Sequence, residues 1–105
     1  MADLFPKFII ENDSLIMMKV SFHKHMILDP ANSEIKGGGW FRYDNENKRF
    51  IFYGDSTDFG AAKLEDIKKC VEDNKIFSNP YSDESLTEHG YKFAYDTGTE
   101  IIPLN

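Results

Sequence analysis

A chain of 105 residues is expected to form one domain, residues 1–105, with a single core and no room for a linker or second domain. Twelve basic and eighteen acidic residues give a net charge of −6, which disfavours nucleic acid and anionic membranes as partners. A single cysteine cannot form an internal disulfide. The sequence has no apolar run of about 18 residues, so no membrane span is predicted. The first five residues lack the basic and apolar regions of a secretion signal, so we expect a cytoplasmic protein. The sequence does not indicate an oligomeric state.

The first predicted strand carries a lysine among apolar residues. Residues 5–11 are rich in aromatic and β-branched side chains, and a polar turn at residues 12–14 ends them. Lys7 lies inside this strand. Its charge alone favours a solvated position. A second interpretation, in which Lys7 binds phosphate, depends on a family resemblance given below.

The second predicted strand leads to two histidines. Residues 15–22 alternate between apolar and polar side chains, so one face is predicted to be core. This apolar face consists of Ile16, Met18, Val20 and Phe22. His23 and His25 follow on the other face if the strand continues. Each is either a surface or packing residue or a catalytic base.

A glycine-rich hairpin is predicted in the middle of the chain. Three glycines at residues 37–39 open it, and glycine admits backbone conformations and close approaches that other residues do not. Aromatic residues at 41–43 and 50–53 flank a polar turn at residues 44–47. Residues 54–60 then place small and hydroxyl side chains where a strand passes into a helix. Free backbone N–H groups at such a transition gather around an anion.

One helix and a terminal hairpin complete the prediction. From residue 61 to about residue 74, apolar side chains recur at helical spacing on one face. Cys70 is expected to be a small core residue, because no basic cluster surrounds it to lower its pKa. Residues 91–95 and 99–102 indicate a hairpin around a glycine-containing loop. The order of these elements predicts an α+β fold with a single mixed, mostly antiparallel sheet of five or six strands and one main helix.

The central stretch resembles one protein family. A glycine triplet opens a hairpin whose second strand ends in Tyr53-Gly54-x-Ser56-x-x-Phe59-Gly60-x-Ala62, and this combination is similar to the Janus/Ocnus family of small phosphohistidine phosphatases. The resemblance runs from about residue 5 to about residue 80 and is densest at residues 37–62. It implies a phosphohistidine phosphatase-like fold and a hydrolase that needs neither a metal nor a cofactor. The implied substrate is a phosphorylated protein or a small phosphoramidate.

The resemblance also implies roles for individual residues. His23 follows an aromatic residue, as the family's general base does, and would activate the attacking water; His25 is the alternative. Lys7 would bind a phosphoryl oxygen. Backbone N–H groups and a serine hydroxyl would hold the other oxygens, as hydrolysis at phosphorus requires. The resemblance assigns Ser56, Thr57 and Asp58 to this phosphate cradle. It assigns Gly38 and Gly39 to phosphate binding as well, through the close approach of their backbone to the anion.

Several departures from the family pattern bear on activity. Family members of the animal type carry an arginine directly after the glycine triplet, where this chain has Trp40. Arg42 shares the strand parity of Trp40 and is either a substitute phosphate ligand or a half-exposed strand arginine. Asp58 adds a negative charge beside the anion cradle, which is unfavourable unless its side chain points away. The connection between His23 and Gly37 is shorter than in family members.

A second function of a different class follows from these departures. A catalytically silent member of the same fold would bind a phosphorylated or acidic partner, or would only pair with another protein. Trp40 and Phe59 are predicted to be exposed aromatic residues around the glycines, which suits a protein contact. The sequence leaves the enzyme and the binding module as alternatives.

Overall fold

The computed structural model describes residues 4–21, 34–78 and 84–105. These residues form seven strands and one helix. In chain order the elements are β1 (Phe5–Glu11), β2 (Ser14–Val20), β3 (Ile35–Asp44), β4 (Arg49–Tyr53), α1 (Leu64–Glu72), β5 (Ile76–Ser78), β6 (Lys92–Asp96) and β7 (Ile101–Pro103).

The strands form one mixed sheet in the order β5-β2-β1-β3-β4-β6-β7. The β2–β5 and β4–β6 pairs are parallel, and the other four pairs are antiparallel. Over the described residues, the predicted α+β class with a mixed, mostly antiparallel sheet and one main helix is therefore confirmed. The sheet has seven strands where five or six were predicted. No helix in this part of the chain is long and apolar enough to cross a membrane.

The main core lies between the helix and one face of the sheet. Ile67, Cys70 and Val71 are the buried residues of α1. This confirms the predicted apolar face of the helix and the core position of Cys70. The sheet contributes the larger part of this core, including Phe8, Ile10, Leu15, Met17, Phe52 and Phe93. Removal of this apolar surface from water is the main favourable term in folding.

The opposite face of the sheet holds a second, smaller cluster of buried residues. It consists of Ile9, Ile16 and Val20. Alternation in the sequence predicts that this face of β2, with Ile16 and Val20, is core. The main core instead contains Leu15 and Met17, which lie on the other face of β2. The first half of β2 is buried on both faces, so alternation does not separate core from solvent there.

The helix begins three residues later than predicted. Ala61 forms a parallel bridge with Gly38, and the Gly38 N–H donates to the Gly60 carbonyl at 3.0 Å. This pairing with β3 keeps the backbone extended, and extended dihedrals are incompatible with a helix. Lys63, at φ −74 and ψ 139, is the N-cap, and Leu64 is the first helical residue.

Candidate anion-binding site

The glycine triplet lies where two stretches of backbone pass side by side. After β4, the chain returns along the first half of β3, so that Gly38 bridges to Ala61. A Cβ on Gly39 would lie 2.6 Å from the Tyr53 carbonyl oxygen, and one on Gly37 would lie 2.7 Å from the Ala61 carbonyl oxygen. Gly37 also takes a φ of +119, which side chains disfavour. The triplet is therefore required by the close approach of the returning chain.

Ser56 holds together the turn that the resemblance assigns to the phosphate cradle. Its Oγ accepts the Phe59 N–H at 3.1 Å, and its side chain is buried. The Ser56 N–H donates to the Gly60 carbonyl at 3.2 Å, and the Gly60 N–H donates back to the Ser56 carbonyl at 2.8 Å. Thr57 and Asp58 are exposed at the outside of the turn. An anion from solvent would therefore reach the Thr57 and Asp58 backbone before that of Ser56.

Lys7 is buried on the sheet face opposite the helix. Only 8% of the residue is exposed, so the solvated interpretation does not hold. Its Nζ donates to the Ser21 carbonyl at 2.8 Å. Burial of a cation is costly unless hydrogen bonds or favourable charges compensate it. The ammonium is thus fixed at the end of β2, beside the residue that lies two positions before His23 in the sequence.

Trp40 is the immediate neighbour of Lys7 across the β1–β3 pairing. The two residues are directly paired, so their side chains point to the same face of the sheet. The Lys7 Nζ lies 4.9 Å from the centre of the Trp40 ring, within the range of a cation–π contact. Phe5 meets the indole edge to face, with ring centres 5.6 Å apart. A Cβ on Gly54 would come within 3.0 Å of Trp40 Cδ1. The indole thus spans the space between Lys7 and the start of the Ser56 turn.

Arg42 is paired with Asp96 of β6. Its guanidinium donates to the Asp96 carboxylate at 3.1 Å and lies 5.2 Å from the centre of the Tyr53 ring. The Gly98 N–H and the Arg42 guanidinium together lower the pKa of Asp96 below its ordinary value. Among the described residues, the guanidinium makes its hydrogen bond and its ring contact with Asp96 and Tyr53, not with Lys7 or the Ser56 turn. This arrangement favours the interpretation of Arg42 as a strand arginine.

The aromatic residues around the glycines are less exposed than predicted. Phe59 is half-buried and packs against the second cluster of Ile9, Ile16 and Val20. Trp40 is also half-buried, because Phe5 and Lys7 cover parts of its ring. The prediction of two exposed aromatic side chains at this point is therefore wrong.

The predicted base lies outside the described residues, as does its alternative: these are His23 and His25. The remaining histidine, His89, pairs with Glu84 at 2.6 Å in an exposed turn. In the described ranges, no group of three or more His, Cys, Asp or Glu side chains is arranged to hold a metal ion.

The sequence did not predict the contact between Lys7 and Trp40. A hairpin pattern gives the register of β3 with β4, but the residue of β1 that lies opposite Trp40 depends on pairing between distant segments. The aromatic composition of residues 5–11 was the available signal, since Phe5 shares the parity of Lys7. Comparison of the chain with family models, with curated proteins and with solved structures finds no match. The family resemblance therefore stays a prediction based on its motifs.

Proposed function

We propose that this chain is a metal-independent phosphoramidate hydrolase of the phosphohistidine phosphatase type, acting in the cytoplasm on a phosphorylated protein or a small phosphoramidate. One observation carries the proposal. The buried Lys7 ammonium lies beside Trp40, the residue that follows the glycine triplet, and it is hydrogen-bonded to Ser21, two residues before His23. Two segments that are far apart in sequence, β1 and the strand with the glycine triplet, thus meet near the end of β2. Convergence of groups from separate segments is what a phosphoryl-transfer site requires.

In the proposed reaction, a water attacks phosphorus and the phosphorus–nitrogen bond breaks. His23 takes a proton from the water, and histidine suits this role because its unperturbed pKa is near neutrality. The Lys7 ammonium and the backbone N–H groups of Thr57 and Asp58, at the outside of the Ser56 turn, stabilise the negative charge on the phosphoryl oxygens. The departing nitrogen takes a proton, and the products are inorganic phosphate and the free amine or imidazole.

Replacement of the two candidate histidines tests this proposal. His23→Ala is expected to lower hydrolysis of phosphohistidine by ~100-fold or more, the usual effect of losing a general base. His25→Ala is expected to have a mild effect and serves as the matched control. The reverse result would assign the base to His25 and keep the mechanism. Equal, full activity of both variants would overturn the proposed role of these histidines.

A second candidate function is a catalytically silent module that binds phosphate or a protein partner. It is favoured because neither candidate arginine position supplies a second cation: Trp40 occupies the position that the resemblance assigns to the family arginine, and Arg42 is bound by Asp96. Inactivity of the wild-type chain on phosphohistidine, phospholysine and phosphoramidate would favour this module. Amide NMR signals of Ser56 and Thr57 that shift with inorganic phosphate would then indicate phosphate binding. No response at millimolar phosphate would leave a protein-interaction module.

A further inference from the structure

Trp40 lies between Lys7 and the backbone that leads into the Ser56 turn. Its ring lies 4.9 Å from the Lys7 Nζ, and its Cδ1 lies against Gly54, where the chain leaves β4 toward the Ser56 turn. Gly54 takes a φ of +72, and a Cβ there would come within 3.0 Å of the indole. The indole is thus fitted between the lysine on β1 and the backbone that leads to the turn.

A lysine side chain has many rotamers, and fixing it at the moment of binding costs entropy. Contact with an aromatic face reduces this freedom before an anion arrives. The face of an indole attracts an ammonium through the ring quadrupole. Unlike a carboxylate, the ring carries no net charge and leaves the positive charge of the ammonium in place. A tryptophan is therefore suited to hold a lysine that must still attract an anion.

We propose that Trp40 is a positioning residue for anion binding, which holds the Lys7 ammonium and sets its place relative to the Ser56 turn. The inference rests on the proposed phosphate site at Lys7. It gives Trp40 a role different from that of the arginine in the resembling family, because Trp40 acts through Lys7. The ligand class is a tetrahedral oxyanion such as phosphate or a phosphoryl group.

The fluorescence of Trp40 gives a direct test, because it is the only tryptophan in the chain. Inorganic phosphate is titrated into the wild-type protein while tryptophan emission is recorded. We expect a saturable change in emission, because an anion at Lys7 alters the charge beside the indole. The change is expected to be absent in Lys7→Met, which keeps an unbranched side chain without the charge. A saturable change of the same size in Lys7→Met would overturn the inference.

Substitutions of Trp40 separate positioning from packing. Trp40→Phe keeps an aromatic face, whereas Trp40→Leu keeps apolar bulk without one. By isothermal titration with phosphate, we expect Trp40→Leu to weaken binding about tenfold and Trp40→Phe to stay within about threefold of wild type. Melting temperatures of all variants identify any that is merely unfolded, and Lys7→Gln is the second uncharged variant if Lys7→Met fails to fold. In the Lys7→Met background, Trp40→Leu is expected to have no further effect on phosphate affinity.

The outcomes distinguish this inference from the proposed function. Equal phosphate affinity of Trp40→Leu and wild type would overturn the inference and leave the hydrolase proposal standing. Equally weak binding by Trp40→Phe and Trp40→Leu would show that only the indole's shape matters, and would also overturn it. Phosphate binding with the expected variant pattern but without hydrolysis would support the inference and reject the hydrolase. A wild-type protein that binds no phosphate would reject both.

Discussion

Gly39 lies where there is no room for a side chain, so its substitution is expected to lower stability. An added Cβ would lie 2.6 Å from the Tyr53 carbonyl oxygen and 3.0 Å from that of Gly54. Both are backbone atoms that cannot rotate away. We expect Gly39→Ala to lower the free energy of unfolding by about 2–3 kcal/mol, at the upper end for overpacking.

Gly98→Ala is the matched control for this substitution. Gly98 has a φ of +96, and an added Cβ would meet no atom within 4 Å. Its cost is therefore conformational only, about 1 kcal/mol. Urea unfolding of both variants measures the difference. Equal losses of stability in Gly39→Ala and Gly98→Ala would show that the backbone of Tyr53 and Gly54 leaves room for a Cβ on Gly39.

The thiol of Cys70 makes stability depend on pH in the alkaline range. Burial and the nearby carboxylates of Asp66 and Asp13 raise its pKa from 9.0 to about 11. The folded chain holds the proton more tightly than the unfolded chain does. This contribution to stability is complete below pH 9.0 and is lost as the pH rises through about 11. Its size is on the order of 2 kcal/mol.

Comparison with Cys70→Ala isolates this effect from other groups that titrate in the same range. The free energy of unfolding of the wild-type protein is expected to fall more steeply than that of Cys70→Ala between pH 9.0 and about 11. Reaction of the thiol with a disulfide reagent is also expected to be slow at neutral pH, because the thiolate is the reactive form. Parallel pH profiles of the two proteins would contradict the assignment.

At the scale of elements, the β3–β4 hairpin has one strained residue in its turn. Asp44 pairs with Arg49 at the end of the ladder, and Lys48 takes a left-handed φ of 55. Only glycine takes this conformation without steric cost. We expect Lys48→Gly to stabilise the protein by about 0.5–1 kcal/mol, and Lys48→Ala to bring no gain. Thermal unfolding of both variants checks this, and a lower melting temperature of Lys48→Gly would contradict it.

Local sequence patterns were sufficient for most elements because each depends on side chains close together in the chain. Aromatic and β-branched composition, together with turn residues, predicted β1, the central hairpin and the final hairpin, and helical spacing predicted α1. The start of α1 was misplaced because a distant residue, Gly38, holds Ala61 in an extended pairing. A period in the sequence reports local geometry and contains no information on such pairings.

The candidate site could be predicted only in part, for the same reason. Sequence patterns and the resemblance selected Lys7 and Ser56, and the structure adds that both are buried and hydrogen-bonded. The contacts that define the site's chemistry lie between strands. The contact of Lys7 with Trp40 depends on the register of β1 with β3. The pairing of Arg42 with Asp96, which removes Arg42 as a phosphate ligand, depends on the order of β3, β4 and β6.

At the scale of the whole molecule, the last fifteen residues are part of the sheet and core. The strand β6 lies between β4 and β7 and pairs in parallel with β4. Phe93 and Leu104 are buried in the main core. The Asn105 side chain accepts the Phe93 N–H at 2.7 Å and donates to the Tyr91 carbonyl at 3.2 Å. The sequence predicted the terminal hairpin but not its position in the sheet. That position depends on parallel pairing, which links segments that are far apart in the chain.

This arrangement predicts that the C-terminal hairpin and the candidate site unfold together. Leu104 is 7% exposed, so Leu104→Ala is expected to remove about 2–3 kcal/mol of stability and to lower the melting temperature by about 10 °C or more. Ile101→Ala, at a residue 39% exposed, is the control and is expected to have a small effect.

Trp40 lies on β3, three strands from β7, and its fluorescence reports the unfolding of the site. In Leu104→Ala, fluorescence and far-UV circular dichroism are expected to give the same lowered midpoint, because a single-core domain unfolds in one cooperative step. A fluorescence midpoint that stays at the wild-type value would show that the hairpin unfolds separately from the rest of the sheet.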